Sequence, residues 1–570
     1  MTFHGIAASE GYSVAKTFKF EVPNITIKED YYSSYNESLK QLENAFEKSL
    51  EEIEKIKIHT AKTLDQSSAD IFEAHAQIIK DPEIKREVLS IMEDKKYSSG
   101  YAYQLVTEKF INIFKAMDDS YMQERAADIF DVSRRVLANY LGKTIPNPKD
   151  ITEDTIIIAH DLTPSDTAQL DKRYIKGIIT EVGGRTSHSA IMSRMLEIPA
   201  IVGVKNALNN VDNDSFIALD GVNGSFILNP SENKQSEYLK KQQVFLDEKE
   251  RLKTLVNEKS ITQDCHQVEI AANIGSDEDI DAVLRNGAEG IGLYRTEFLY
   301  MNAKSLPSEQ TQFEAYKKVL ESMKSDKVII RTLDIGGDKN LDYLPLNKEM
   351  NPFLGKRAIR LCLAETEIFA TQLRALLRAS IYGDLHIMFP MIATVEELKQ
   401  AKSMLVECEA SLRNEGYEIG DYKVGIMIEI PSTVMIAKHL AKHCDFFSVG
   451  TNDLIQYTFA ADRMNESVSY LYQPFHPSIL RQLKMVIDAS HEAGIWTGMC
   501  GEMAQEFKAL PLLIGLGLDE FSMSPSSILK SRESIQKMNF KKAKLMVEEI
   551  LEYEDSKSVL NRLEREDYYG

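Results

Sequence analysis

The chain has 570 residues, 43% of them hydrophobic, and a formal net charge of −20 at pH 7. That length calls for several domains, and the apolar share is ample for real cores. The acidity argues against nucleic acid as a partner, because phosphate backbones need a basic face; it suits a soluble protein that meets basic partners or small cations.

The N-terminus, Met1-Thr2-Phe3-His4-Gly5, has neither the basic start nor the apolar run of a signal peptide. No apolar run approaches the roughly 20 residues of a membrane span. Five cysteines (Cys265, Cys362, Cys408, Cys444, Cys500) are scattered, without metal-type pairing. They suggest a reducing compartment, the cytoplasm.

Residues 1–30 are short and β-like. From 31 to 142 apolar residues recur at three and four: Leu39, Leu42, Phe46, Leu50, Ile53 and Ile56, then Ile71, Phe72, Ile78 and Ile79, then Ile84, Val88 and Met92. A longer pattern starts at Leu105 and continues toward Ile129, Val136 and Leu137. This predicts a compact helical insert of two helical hairpins. Residues 143–230 alternate strand candidates (Thr155–Ala159, Ile178-Ile179, Ala200–Val202, Phe216–Leu219) with short helices, and with 1–30 they predict a small α/β domain. Residues 231–260 are charged with helical period, a linker helix.

Within the α/β domain lies Gly183-Gly184-Arg185-Thr186-Ser187-His188-Ser189-Ala190-Ile191-Met192. Glycines end a strand, and an apolar pattern (Ile191, Met192, Met195, Leu196) follows at helical spacing. His188 therefore falls in the first turn of a predicted helix, where backbone N–H groups and the dipole favour anions. A histidine there can act as a nucleophile whose phosphorylated form is stabilised in place. As a lone residue it would more often be a cap or a core side chain.

From 261 to 570 one pattern repeats eight times: a short apolar run, a polar turn, a helical pattern. The runs are Val268–Ile274, Gly290–Tyr294, Val328–Ile330, Leu385–Phe389, Val424–Ile428, Phe446–Val449, Ile495–Met499 and Phe521–Met523. Eight such units predict a (β/α)₈ barrel, whose chemistry sits at the carboxyl ends of the strands. Just beyond the runs stand Arg295, Arg331, Glu429, Asn452-Asp453 and Cys500. Arg295 and Arg331 suit bidentate binding of carboxylate or phosphate, with surface ion pairs the alternative. Glu429 and Asp453 are hard oxygen ligands suited to Mg²⁺, or else caps or arginine partners. Asn452 can donate to a phosphate oxygen, and Arg463 and Lys339 follow in adjoining loops. Cys500, at a strand end among charges, is a candidate general acid or nucleophile; the sequence does not choose between these roles. The residues together describe a histidine nucleophile on one domain and an anion-plus-metal site on a barrel, hence phosphoryl transfer from a small molecule to His188.

The string around His188 and the following Ile198-Pro199-Ala200-Ile201-Val202-Gly203 resemble the phosphohistidine segment of the enzyme I family of the bacterial phosphoenolpyruvate:sugar phosphotransferase system. So do Leu162–Leu170, Gly292-Leu-Tyr-Arg-Thr-Glu-Phe-Leu299, Arg331-Thr-Leu-Asp-Ile-Gly-Gly-Asp-Lys339, Ser448-Val-Gly-Thr-Asn-Asp-Leu454 and Gly498-Met-Cys-Gly-Glu502. The resemblance runs nearly end to end. It implies that phosphoenolpyruvate binds the barrel with Mg²⁺ held by Glu429 and Asp453. Arg295, Arg331, Asn452 and Arg463 would hold the phosphate and carboxylate, with Lys339 and Arg357 lining the same pocket. His188 would take the phosphoryl group and Cys500 would protonate the enolate. The group would pass to a histidine of the phosphocarrier HPr, docked on the helical insert near Asp81, Glu83 and Arg125. The family pattern often has acidic residues just ahead of Ala69, where Gln66-Ser67 stand here. A homodimer through the barrel is also implied, and a swivel about the linkers, since His188 has two partners. A pyruvate, phosphate dikinase or phosphoenolpyruvate synthase would need a nucleotide-binding domain, and no glycine-rich nucleotide loop precedes His188. A regulatory phosphorelay paralogue would carry an extra N-terminal sensory domain, and the resemblance here starts at the family's first strand.

Overall fold

The computed structural model describes the chain except residues 22–24, 64–65, 116–119, 147, 149–150, 185–186, 302, 304, 338, 340, 342, 345–348, 464 and 570. For residues 59, 61–63, 66–68, 70, 120–124, 188 and 466 it describes the backbone alone. Arg185, Thr186, Asp338 and the side chains of His188, Gln66 and Ser67 thus lie outside the described residues. The chain divides into two units, Met1–Glu248 and Lys249–Gly570.

The first unit opens with strands β1 (Thr2–His4), β2 (Ile6–Ser9) and β3 (Tyr12–Phe20), and closes its sheet with β4 (Thr155–Ala159), β5 (Ile175–Thr180), β6 (Ala200–Val202), β7 (Phe216–Asp220) and β8 (Ser225–Leu228). The eight strands form one sheet in the order β1-β8-β7-β3-β4-β5-β6-β2. Strands β3, β4, β5 and β6 run parallel at its centre. Covered on both faces, β4 is buried at every position, which is why it reads as an unbroken apolar run.

Between β3 and β4 stand five helices: α1 (Tyr35–Thr63), α2 (Gln66–Lys80), α3 (Pro82–Lys95), α4 (Ser99–Lys115) and α5 (Ser120–Leu141). They share a core that includes Leu42, Phe46, Ile53, Phe72, Tyr103, Val106 and Val136. The stretch expected as one long pattern from Leu105 is two helices, α4 and α5, so five helices replace the expected two hairpins. Apolar spacing of three and four holds on both, with no glycine or proline to mark the break.

The second unit is a closed barrel of eight parallel strands: β9 (Glu269–Ile274), β10 (Gly290–Arg295), β11 (Lys327–Arg331), β12 (Leu385–Phe389), β13 (Tyr422–Ile428), β14 (Phe446–Val449), β15 (Trp496–Met499) and β16 (Glu520–Met523), with β16 pairing back to β9. Every run anticipated from the sequence is one of these strands, to within two residues. Alternation along each strand sorts the side chains. Ile329 and Met427 join Leu293, Met388 and Phe446 in the lumen. Their neighbours Val328, Ile330, Ile426 and Ile428 face the surrounding helices. Among the described residues no helix is long and apolar enough to cross a membrane.

Candidate active site

The same alternation builds the site. Two residues beyond Leu293, Ile329, Met427 and Gly498 come Arg295, Arg331, Glu429 and Cys500, so these four cap the lumen at its carboxyl end. Arg331, Glu429 and Cys500 are buried, at 7%, 2% and 4% exposure. Arg331 touches the lumen layer directly, its Nη1 lying 3.6 Å from Met427 Sδ.

Two carboxylates not singled out from the sequence organise the cations. One oxygen of Glu297, Oε1, accepts from Arg331 Nη2 at 2.6 Å and from Lys339 Nζ at 2.8 Å. Asp334 lies 3.2 Å from Arg331 and 3.0 Å from Arg357. Arg357 also reaches Asp453 Oδ2 at 3.3 Å and the Tyr457 hydroxyl at 3.3 Å. Arg463 pairs with the other Asp453 oxygen at 3.4 Å. The cluster therefore joins the cations Arg331, Lys339, Arg357 and Arg463, with Arg295 close enough to Cys500 to act on its thiol. Arg331 and its partners Glu297 and Asp334 are all buried, which rules out the surface ion-pair reading for Arg331.

Charge compensation fixes the protonation states. Burial opposes the charge of Asp334, but Arg331, Arg357 and Lys339 outweigh it and hold the carboxyl well below the usual range. Glu297 is likewise lowered, burial being overcome by Arg331 and Lys339. Glu429 goes the other way: burial, then Asp453 and Asp334, push it up to about 8 against Arg331 and Arg357. Burial pushes the Cys500 thiol up, against the Ser448 hydroxyl, Arg331 and Arg295. Cys500 is thus a thiol at neutral pH rather than a resting thiolate.

Asn452 sits at the rim. Its Oδ1 accepts from the Tyr472 hydroxyl at 3.2 Å and from the Glu502 amide at 3.3 Å, while its Nδ2 donates to Glu502 at 3.3 Å. Glu429 Oε1 accepts from the Met391 amide at 2.6 Å. Its other oxygen faces Gly450, where a Cβ would lie 3.0 Å from Oε2. A side chain there would press on that carboxylate, which would have to shift by a few tenths of an ångström.

In the first unit His188 opens the helix His188–Met195. Ser187 precedes it as N-cap, yet its hydroxyl bonds back to the Gly184 carbonyl at 2.9 Å and does not cap the helix. Gly183 takes a positive φ of 107°, a conformation side chains rarely adopt, and so turns the chain from β5 into this helix. Met192 is buried, whereas Ile191 and Met195 are exposed, because the helix covers the sheet with one side only.

The three residues assigned to docking lie on α3 and α5 or at their edges. Asp81 is the N-cap of α3, accepting from the amides of Glu83 at 2.7 Å and Ile84 at 3.3 Å. Glu83 pairs with Arg86, and Arg125 lies 3.9 Å from Asp128.

Comparison with known proteins agrees with this geometry. Residues 249–540 match the PEP-binding domain of PEP-utilising enzymes, 151–224 their mobile domain and 4–125 their N-terminal domain. The chain is 54% identical over 536 residues to the phosphoenolpyruvate-protein phosphotransferase of Priestia megaterium, covering 94% of each chain. It is 52% identical to those of Staphylococcus carnosus and Bacillus subtilis, covering 98% of each chain in both cases. With more than half of its length matched to one family and half of its residues shared with full-length members, the chain belongs to the phosphoenolpyruvate-protein phosphotransferases, enzymes I of the phosphotransferase system.

Proposed function

We propose that this chain moves the phosphoryl group of phosphoenolpyruvate first to its own His188 and then to a histidine of the phosphocarrier HPr, releasing pyruvate. The observation that carries the reading is the cation cluster over the barrel lumen, interleaved with buried carboxylates and set beside a protonated thiol. Phosphoenolpyruvate is multiply anionic, and phosphoryl transfer depends chiefly on positioning and charge stabilisation.

Arg295, Arg331, Lys339, Arg357, Arg463 and Asn452 hold the phosphate and carboxylate. Glu297 and Asp334 keep the cations in place. His188 Nε2 attacks phosphorus; the N–P bond forms as the P–O bond to the enol breaks, and the electron pair leaves on the enolate oxygen. Cys500 then gives its Sγ proton to the methylene carbon, yielding pyruvate and a thiolate that solvent reprotonates. In the second transfer the N–P bond on His188 breaks and one forms on the acceptor imidazole.

Mg²⁺ fits the residues present. Glu429 Oε2 lies against Gly450, and Asp453 Oδ1 is buried with no hydrogen-bond partner among the described residues and with Arg463 Nη1 at 3.4 Å. No group of three metal-type ligands occurs among the described residues, so these two carboxylates would share the ion with substrate oxygens. When bound, the ion supplies positive charge to the phosphate and enolate oxygens.

The domain division that accompanies this reading is 1–30 with 143–230 for the phosphohistidine domain, 31–142 for the HPr-docking insert, 231–260 for the linker and 261–570 for the phosphoenolpyruvate barrel. HPr docks near Asp81, Glu83 and Arg125, the chain dimerises through the barrel, and it works in the cytoplasm. The test is intact mass after incubation with phosphoenolpyruvate and Mg²⁺, beside His188→Ala. One acid-labile phosphoryl group, absent in the variant and discharged by HPr, is expected. Uptake that needs ATP overturns the reading.

A further inference from the structure

A buried ion cluster joins two parts of the first unit that the chemistry assigns different tasks. Arg134 lies on α5 of the helical insert, and Asp166 on the short helix Pro164–Thr167 of the α/β domain. Arg134 Nη2 stands 3.0 Å from Asp166 Oδ1 and 3.1 Å from Oδ2. The same nitrogen reaches Thr163 Oγ1 at 3.1 Å and Asp131 Oδ1 at 3.4 Å. Asp131, also on α5, accepts from the Ser165 amide at 3.1 Å with its other oxygen. Arg134, Asp131 and Asp166 are 9%, 1% and 3% exposed. The contact is therefore doubled: a guanidinium from α5 on the short helix's acid, and an acid from α5 on the short helix's backbone.

The surroundings turn this contact into a link. Ala168, just past the short helix, is buried in the hydrophobic core of the insert. The short helix in turn packs against His188–Met195, the helix that begins with the phosphorylated residue. Thr163 and Asp166 close a capping box on the short helix, so the acid that receives Arg134 is itself fixed to its backbone. A continuous path runs from α5 through Arg134 and Asp166 to the helix of His188.

We infer that Arg134 is a positioning residue for the second phosphoryl transfer: it holds the insert, where the acceptor docks, in register with the helix that carries His188. The inference rests on the acceptor reading above. Transfer between two imidazoles needs the reacting atoms about 3–3.5 Å apart and aligned. Arg134 lies 14 residues, ~21 Å, from the start of α5, so a tilt of about 5° at this anchor displaces a partner at that end by ~1.8 Å. A buried, charge-assisted contact with several acceptors resists that tilt; a solvent-exposed pair would not. The first transfer, from phosphoenolpyruvate, does not use the docking face and so does not depend on this register.

The experiment separates the two half-reactions in the full-length chain, with Arg134→Gln, Arg134→Lys and Asp166→Asn beside the parent. Uptake of phosphoryl from phosphoenolpyruvate is followed by intact mass, and single-turnover discharge is followed at saturating HPr. Expected for Arg134→Gln are uptake within about threefold of the parent, HPr affinity within about threefold, and discharge slowed by about thirtyfold or more. Arg134→Lys, which keeps the charge and loses the planar fork, falls in between. Asp166→Asn, which keeps the shape and the Thr163 contacts, carries the test if Arg134→Gln does not fold. Discharge at the parental rate in a folded variant overturns the inference, and so does a parallel fall of both half-reactions, which marks a general structural loss. If the parent takes up phosphoryl and fails to discharge it to HPr, the acceptor reading falls and takes this inference with it.

Discussion

At the scale of single residues the site is set by what each side chain leaves room for. Glu429 keeps one oxygen on the Met391 amide and turns the other toward Gly450, where a side chain would crowd it. A methyl group there would sit 3.0 Å from Oε2 and 3.1 Å from the Met427 sulfur, both tighter than ordinary contact, and both neighbours are buried in a packed lumen. Gly450→Ala is therefore expected to displace the carboxylate and to lower kcat/KM for phosphoenolpyruvate by about tenfold or more, a loss of roughly 1.4 kcal/mol of transition-state stabilisation. Raising the Mg²⁺ concentration should recover part of that loss. Unchanged kinetics at low Mg²⁺ would show that Glu429 has another way to settle. The sequence made Arg295 and Arg331 legible because each follows an apolar run, whereas Lys339 and Arg463 stand in loops and Arg357 came only with the resemblance. It hid their counter-ions: Glu297 and Asp334 stand in plain view in the motifs, but pairing across β10 and β11 is a property of the closed barrel. Asp81 carries a structural role beside the docking assigned to it. Asp followed by Pro82 and Glu83 is the signature of an N-cap, and the structure uses it as one.

At the scale of elements, parallel strands covered on both faces read as plain apolar runs, so the barrel was legible almost to the residue. The join between α4 and α5 was not, because amphipathic spacing says which face is buried and not where a helix stops. The amino end of the barrel was also silent in the sequence. There Lys327, the first residue of β11, lies 3.0 Å from Glu269 at the start of β9, pairs with Glu520 at the start of β16, and covers the Trp496 ring at 3.8 Å. Burial, then Glu520, pushes Glu269 up to about 7, against the pull of Lys327. Folded Glu269 thus keeps its proton to about pH 7, while in the unfolded chain it is lost near pH 4.3. Between those values the folded state binds more protons, so this residue makes stability fall as pH rises and then level off. Glu269→Gln lacks that slope. Whatever constant cost its lost Lys327 contact brings, its stability relative to the parent should rise between about pH 5 and pH 8. Urea midpoints of the two chains across that range provide the check, and parallel profiles overturn the expectation.

At the scale of the whole molecule, one atom has two appointments. In the proposed reaction His188 Nε2 comes to about 3–3.5 Å of the phosphorus held on the barrel, and later to the acceptor's imidazole. His188 belongs to the unit Met1–Glu248 and the anion site to Lys249–Gly570, so the proposed cycle requires the units to change their relative placement. The helix Glu232–Lys253 crosses that division, and its two ends are held differently. Toward its start, Tyr238 and Phe245 pack edge-on against Tyr12 of β3 at 6.3 and 6.1 Å. Toward its end, Arg251 pairs with Glu533 of the barrel unit. Just beyond, the fully buried Arg532 donates to the Leu255 carbonyl at 2.9 Å, Val256 at 3.3 Å and Gly287 at 2.5 Å, and to Ser260 Oγ at 3.2 Å. Four acceptors on one buried guanidinium make the segment after the helix part of the barrel, so it is a poor place to bend. The stretch between the two anchors, Leu246-Asp247-Glu248-Lys249-Glu250, has one apolar residue in five and no such core to break. Reorientation is expected to bend the chain there. X-ray scattering with and without phosphoenolpyruvate and Mg²⁺ should give different pair-distance distributions for the parent chain. A disulfide designed to staple Phe245 to Tyr12 should leave that difference intact, since the contact moves as one body. Identical profiles in both conditions overturn the reorientation, and a difference that the staple abolishes moves the bend into the first unit.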